Sequence, residues 1–274
     1  MIEDGRVPLI VIARNRFTPI SELIKYIRRH KLQHEIFIFD MQSEYPPLLE
    51  LYNSVSGINI IRLENIGPRL LWHSVEFKRI ALRGPFFLTD GDIDFSKTSP
   101  RVFEELINTS RRFPGFRKIG SALRIDDLPV NLTKTSNIID SESDNWRDYR
   151  KLGRQIYMAP IDTTFAYYPK YTDDFYHWPA LRVAGKYSVR HMPWYVDYEN
   201  LDSESLFYID HAKIWGTHGT SSERGRREVD IDPRKTRIYK YSLLIRTVLW
   251  LFPKTGSMAF QFLIDKFNID SKIK

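Results

Sequence analysis

Four short apolar runs, each ending on polar residues and separated from the next by a helix-like segment, constrain this chain more than any other feature. Val7-Pro8-Leu9-Ile10-Val11-Ile12-Ala13 ends at Arg14-Asn15-Arg16, and Glu35-Ile36-Phe37-Ile38-Phe39 ends at Asp40. Ile58-Asn59-Ile60-Ile61-Arg62-Leu63 ends at Glu64-Asn65-Ile66-Gly67-Pro68, and the run over 85–89 ends at Asp90-Gly91-Asp92-Ile93-Asp94. Near-continuous apolar runs of this length are those of strands buried on both faces of a parallel sheet. Between them, Thr18 predicts an N-cap with Pro19 at the first helical position, and Ile20, Leu23, Ile24 and Ile27 form one apolar stripe. A second helix is predicted at 48–52 and a third as one element over 69–80. The order β-α-β-α-β-α-β predicts an α/β fold with an open parallel sheet flanked by helices. Ligands of such sheets bind beyond the carboxyl ends of the strands, where Arg14, Asn15, Asp40, Asn65, Asp90 and Asp92 all fall.

The second half is less regular. A helix is expected over 100–112, a strand over 120–125, and a long polar loop over 126–144 of the length used for lids or acceptor contacts. The stretch 155–168 reads as paired strands around Asp162. The stretch 182–195 is rich in groups that stack on or hydrogen-bond a ligand, His191 among them. Residues 1–222 are therefore expected to form the main domain, with 223–274 as a basic, partly amphipathic extension. That extension carries Arg224-Gly225-Arg226-Arg227, Arg234-Lys235-Thr236-Arg237 and an apolar run over 241–253 containing Arg246. Such a run is too short and interrupted to cross a bilayer; it suits either an interfacial anchor or a helix packed on a protein surface.

Composition narrows the chemistry. The 274 residues are 42% hydrophobic, which fits a sizeable core, and the absence of cysteine excludes disulfides, thiolate nucleophiles and cysteine-held metals. The net charge of +7 and pI near 9.4 favour an anionic partner such as a nucleotide, a phosphate or a membrane surface. No signal-peptide pattern opens the sequence, so a cytoplasmic location is expected, peripheral on the inner membrane face if the tail anchors. No Walker loop, dinucleotide fingerprint or Gly-x-Ser-x-Gly elbow is present.

Asp90, Asp92 and Asp94 alternate along an extended chain, so they can face one point, and their mutual repulsion calls for a cation or a raised pKa. Gly91 would allow close approach of a ligand. The bland alternative is an Asp/Gly turn after a strand. A metal-dependent phosphatase or nucleotidyltransferase would also use Asp90 and Asp92, and a non-catalytic membrane-surface binding protein would use the tail alone.

The ordered series Ala13-Arg14-Asn15-Arg16, Asp40 with Tyr45-Pro46-Pro47-Leu48-Leu49, Asn65-Ile66-Gly67-Pro68 and Thr89-Asp90-Gly91-Asp92-Ile93-Asp94 resembles the nucleotide-sugar half of GT-A fold glycosyltransferases. It looks like the bacterial family-two-like enzymes of polysaccharide biosynthesis clusters. The resemblance covers residues 7–95, with weaker continuation through 161–165 and 190–195. The family's second strand often ends in Asp-Asp/Asn-x-Ser, of which Asp40-Met41-Gln42-Ser43 keeps the first Asp and the Ser.

The resemblance implies a GT-A-like (Rossmann-like), mostly parallel sheet and transfer of a sugar from a nucleotide-diphosphate sugar to a glycan or lipid-linked acceptor. It implies Mn²⁺ or Mg²⁺ at Asp90 and Asp92, and donor contacts from Arg14, Asn15, Asp40, Asn65, Gly67, Arg69, Asp90 and Gly91. An inverting enzyme needs a carboxylate base, for which Asp162 is the first candidate and Asp197 and Asp210 the reserves; His191 would join the metal shell or hold a phosphate. No nucleic-acid partner is implied. The sugar, the base, the acceptor and the oligomeric state are not given by the residues.

Overall fold

A computed structural model describes residues 6–211, apart from 131, 133 and 176–178. The extension expected over 223–274, its boundary at 222 and its anchor run lie outside these residues. Among the described residues no helix is long and apolar enough to cross a membrane.

The first half follows the expected alternation: β1 (Leu9–Ala13), α1 (Phe17–Arg29), β2 (Ile36–Met41), α2 (Pro46–Ser54), β3 (Ile58–Leu63), α3 (Gly67–His73), α4 (Val75–Ala81) and β4 (Phe86–Asp90). The short β5 (Ile93–Asp94) follows, then α5 (Val102–Arg112), β6 (Lys118–Ser121), α6 (Thr135–Ser143), β7 (Lys151–Gly153), β8 (Ile156–Met158), β9 (Phe165–Tyr168), β10 (Ala180–Val183), β11 (Arg190–His191) and α7 (Ser203–Asp210).

Nine strands form one sheet in the order β3-β2-β1-β4-β9-β6-β10-β8-β7. The β3-β2-β1-β4 block is parallel throughout, as is the β6-β10 pair. Pairings of β9 with β4 and β6, and of β8 with β10 and β7, are antiparallel, so β9 and β8 alone run against the rest. The fold is α/β with a mostly parallel sheet flanked by helices. Beside it, β11 pairs antiparallel with β5 in a two-stranded ribbon.

Phe86 and Phe87 show why both faces of β4 are covered, since consecutive residues of a strand point to opposite sides. Phe86 stacks on Tyr168 and meets Trp72 and Phe77, which α3 and α4 lay over that face. Phe87 points the other way, against Phe103 of α5 and Phe165. Each such ring, fully buried, contributes about 2–3 kcal/mol, and the two clusters fix how far β4 extends before its acids emerge.

Four expected elements differ in detail. The helix predicted over 69–80 is two, broken at Ser74, whose extended backbone and side chain cap α4 by accepting from the Phe77 amide. Helix α1 begins at Phe17 and not after Thr18, because Glu204 of α7 supplies the cap from 186 residues away. Its Oε2 accepts from the Thr18 amide at 3.0 Å and the Thr18 hydroxyl at 2.6 Å, placing a carboxylate at a helix N-terminus. The polar stretch 126–144 contains α6. The strand expected over 120–125 is Lys118–Ser121, since a buried lysine conceals its start from an apolar pattern.

Candidate active site

The parallel strands β1, β2, β3 and β4 deliver their carboxyl ends to one edge. Asp90 is the last residue of β4, and its amide donates to the Thr164 carbonyl at 3.0 Å. Gly91 then turns the chain under β1: its amide donates to the Ile12 carbonyl at 2.7 Å, and a Cβ there would lie 2.9 Å from that oxygen and 3.2 Å from Ala13 Cα. The glycine is thus required by the approach of β1's backbone rather than by a ligand.

The β5–β11 ribbon pairs His191 with Ile93, and the Met192 amide donates to the Asp92 carbonyl at 2.9 Å. This brings His191, 99 residues later in the chain, to Asp92, with Nε2 3.6 Å from Oδ2. Asp92 Oδ1 and His191 Nδ1 are buried without a hydrogen-bond partner among the described residues.

The charges of the two acids diverge. Burial, then the neighbouring Asp92 charge, pushes the Asp90 carboxyl up to about 7, against the Thr163 hydroxyl that donates to its Oδ2 at 2.8 Å. Burial acts on Asp92 in the same direction but is outweighed by His191 and Arg16, so its carboxyl lies below the usual range. Burial would lower the imidazole of His191; Asp92 reverses this and leaves it raised. Asp92 and His191 therefore favour each other's charged forms, while the Asp90 carboxyl titrates near neutral pH.

Asp94 is turned away from this pair. It accepts from the Ser96 amide and hydroxyl, both at 2.7 Å, and lies 3.5 Å from Arg190. Asp162 stands on an irregular link between β8 and β9, not within a strand, and β8 and β9 do not pair with each other. It is exposed, with Oδ1 accepting from the Thr163 amide at 2.9 Å. Thr163 thus joins Asp162 to Asp90.

The β1 and β2 ends are organised differently. Asn15 has a φ of 49° and its Oδ1 accepts from the amides of Glu44 and Tyr45 at 2.7 and 3.1 Å. Asp40 is fully buried: Oδ1 accepts from the Tyr52 hydroxyl, and Oδ2 from the Ser43 amide and Arg62. Both side chains brace the loop 42–45. Arg14 donates to the His211 carbonyl at 2.7 Å, and its Nε is buried and unpartnered among the described residues. Arg16 lies 3.6 Å from the ring centre of Tyr208 in α7, its Nε likewise unpartnered among the described residues.

Asn65 is half-buried, Gly67 has a φ of 75° with nothing within 4 Å of a built Cβ, and Arg69 is exposed. They sit at the end of β3, three strand spacings or roughly 14 Å from β4. Asp197 is half-buried and accepts from the Glu199 amide and Asn200, while Asp210 ends α7. The structure brings together Asp90, Asp92, Asp162 and His191, and places Asp94, Asp40 and Asn15 in bracing roles.

Three residues at the site were not singled out from the sequence. Arg16 was legible as the third member of Arg14-Asn15-Arg16. Thr163 gives no signal beyond adjacency to Asp162. Lys118 was concealed because strand patterns are read from apolar residues.

Among the described residues no three His, Asp or Glu side chains gather closely enough to hold a metal ion by themselves. The chemistry of the site nevertheless fits a divalent cation. A carboxylate held below its usual range and an imidazole stand together, each with a buried atom unpartnered among the described residues, and cations that bind with phosphates typically take only one or two protein carboxylates.

Comparison with known proteins returns no matching family model and no matching curated protein. Among solved structures, the chain is similar to glucosyl-3-phosphoglycerate synthase from Mycobacterium tuberculosis at 15% identity and a TM-score of 0.41, covering 69% of this chain and 73% of that one. It is also similar to mannosyltransferase PcManGT from Pyrobaculum calidifontis, solved with GDP-Man and Mn²⁺, at 15% identity and a TM-score of 0.36. There the match covers 60% of this chain and 44% of the mannosyltransferase. Residues 1–349 of S. aureus TarS match at 12% identity and a TM-score of 0.40, covering 69% and 60% respectively. Similarity at this level assigns neither substrate nor mechanism to this chain.

Proposed function

We propose that this chain is a metal-dependent glycosyltransferase that moves a sugar from a nucleotide-diphosphate sugar to an acceptor hydroxyl. The observation that carries the reading is the Asp92–His191 pair, each with a buried polar atom unpartnered among the described residues, at the carboxyl edge of the mostly parallel sheet beside Asp90, whose carboxyl is pushed the opposite way from that of Asp92. Asp92 and His191, its imidazole giving up its proton, would hold a divalent cation with Asp90 close by, and the bound cation would supply Lewis acidity to the departing diphosphate.

The chain's own residues do the rest. Arg14 and Arg16 carry positive charge at the end of β1, where each has an Nε that is free among the described residues to turn toward phosphate oxygens. The span from β4 to Asn65, Gly67 and Arg69 at β3 is of the length a nucleotide occupies. The Asp162 carboxylate is exposed to the open edge and positioned by the Thr163 amide, so it serves as the base for the acceptor hydroxyl in an inverting displacement. The acceptor class is a glycan or a lipid-linked sugar, with a peripheral membrane location if residues 223–274 anchor the enzyme.

The test is release of nucleoside diphosphate from a panel of nucleotide sugars with Mn²⁺, Mg²⁺ or chelator. Metal-dependent release from one donor, lost in Asp92→Ala, supports the reading. Release of inorganic phosphate from simple phosphomonoesters instead would assign the acids to a phosphatase.

A further inference from the structure

The proposed chemistry gives no task to Lys118, a charged side chain only 2% exposed in the middle of the sheet. Its neighbour Ile119 is fully buried, and an apolar side chain at 118 would fill the space without the desolvation penalty that a buried ammonium carries. Burial pushes the Lys118 pKa down to about 8, while Asp162 and Asp90 pull it back up. About nine-tenths of it therefore remains charged at pH 7.

The ammonium donates to two backbone carbonyls, Ile161 at 2.9 Å and Asp162 at 2.8 Å, and lies 5.3 Å from the ring centre of Tyr168. Those carbonyls belong to the link between β8 and β9, which has no ladder of its own to hold it. The same link carries Thr163 to Asp90, and its Thr164 carbonyl accepts from the Asp90 amide at 3.0 Å and the Thr89 hydroxyl at 2.7 Å. Gly120, on the same face of β6, completes the seat. A Cβ there would come 2.6 Å from the Phe165 carbonyl and 2.8 Å from Ile161 Cδ1. One face of β6 thus holds the link by a close approach and by a cation.

We propose that Lys118 is a positioning residue of the acid site: its buried ammonium pins the Ile161 and Asp162 carbonyls and so fixes Asp162 and Thr163 beside Asp90. The kinetic consequence rests on the glycosyltransferase reading; the structural one does not. Loss of the ammonium frees the link, so the Thr163 hydroxyl and the Asp162 carboxylate no longer hold their places beside Asp90, while Asp92, His191 and the end of β1 keep theirs.

The experiment is backbone hydrogen exchange on wild type and Lys118→Met, with kinetics alongside. The Asp90 and Thr163 amides should exchange at least about tenfold faster in the variant, while amides within β1 and β2 keep their protection. With a turned-over donor, kcat should fall about 30-fold with KM within about threefold, and Lys118→Met should add little to Asp162→Asn. Unchanged exchange in a folded Lys118→Met, or losses that add fully in the double variant, overturns the proposal. If Lys118→Met does not fold, Lys118→Cys replaces it, alkylated with bromoethylamine in denaturant and refolded. The chain has no other cysteine, so the ammonium returns at position 118 alone. Restored protection at Asp90 and Thr163 relative to unalkylated Lys118→Cys supports the proposal, and equal exchange overturns it. If wild type releases nucleoside diphosphate from no donor, the glycosyltransferase reading falls while the exchange comparison still decides the role of Lys118.

Discussion

Replacing Asp90 with asparagine separates the electrostatic cost of the site from its shape. Asparagine is nearly isosteric, and its Oδ1 can still accept from the Thr163 hydroxyl that now meets Asp90 Oδ2. In the metal-free protein the folded state raises the Asp90 carboxyl from 3.8 to about 7, through burial first and the Asp92 charge second. A carboxyl raised on folding binds more protons folded than unfolded across that interval. Wild-type stability therefore falls as pH rises from about 4 through 7, and the loss is complete above the folded value. With those two values, linkage gives a cost of about 1.5 kcal/mol at pH 5 and about 4 kcal/mol at pH 8. Asp90→Asn carries no such term, so its advantage over wild type should grow by about 2.5 kcal/mol between pH 5 and pH 8. The assay is urea unfolding in chelator at both pH values. A pH-independent difference, or one that shrinks toward pH 8, would refute the assignment of Asp90 as a strained acid. Added Mn²⁺ should stabilise wild type at pH 8 more than the variant.

Other expectations follow from the same geometry. Gly91→Ala places a methyl against the backbone of Ile12 and Ala13, neither of which can swing aside, and should cost about 1–3 kcal/mol by chemical denaturation. Asp162→Asn should lower kcat by about 10²-fold or more with KM for the donor little changed, measured by nucleoside diphosphate release. Glu204→Ala strips both hydrogen bonds from Thr18 at the start of α1 and should cost about 1–2 kcal/mol in urea titration.

The alternation of apolar runs made the first half of the fold legible, because strands buried on both faces cannot conceal their composition. Phe86-Phe87-Leu88 and Ile10-Val11-Ile12 are readable for that reason. Beyond β5 the elements are shorter and their partners distant in sequence. Nothing local in Arg190-His191 says that it pairs with Ile93-Asp94, yet that pairing carries His191 to Asp92. The same limit applies to α1, whose cap comes from α7, and to Lys118, whose carbonyl partners lie 43 and 44 residues away.

Residue type also pointed to polar positions without separating ligand contacts from bracing. Asn15 and Asp40 look alike in sequence to Asp92, but their side-chain oxygens are taken up by the loop 42–45 and, for Asp40, by Tyr52 and Arg62 as well, whereas Asp92 keeps a buried oxygen free among the described residues. That distinction depends on where the partners lie in space.

The most direct test is calorimetric binding of a nucleoside diphosphate to wild type and Asp92→Asn, with Mn²⁺ and with chelator. The account predicts binding by wild type that requires the cation, weakened at least about 30-fold, or about 2 kcal/mol, in Asp92→Asn. Equal binding in chelator, or equal affinity in the variant, would contradict a cation–diphosphate site at Asp92 and His191.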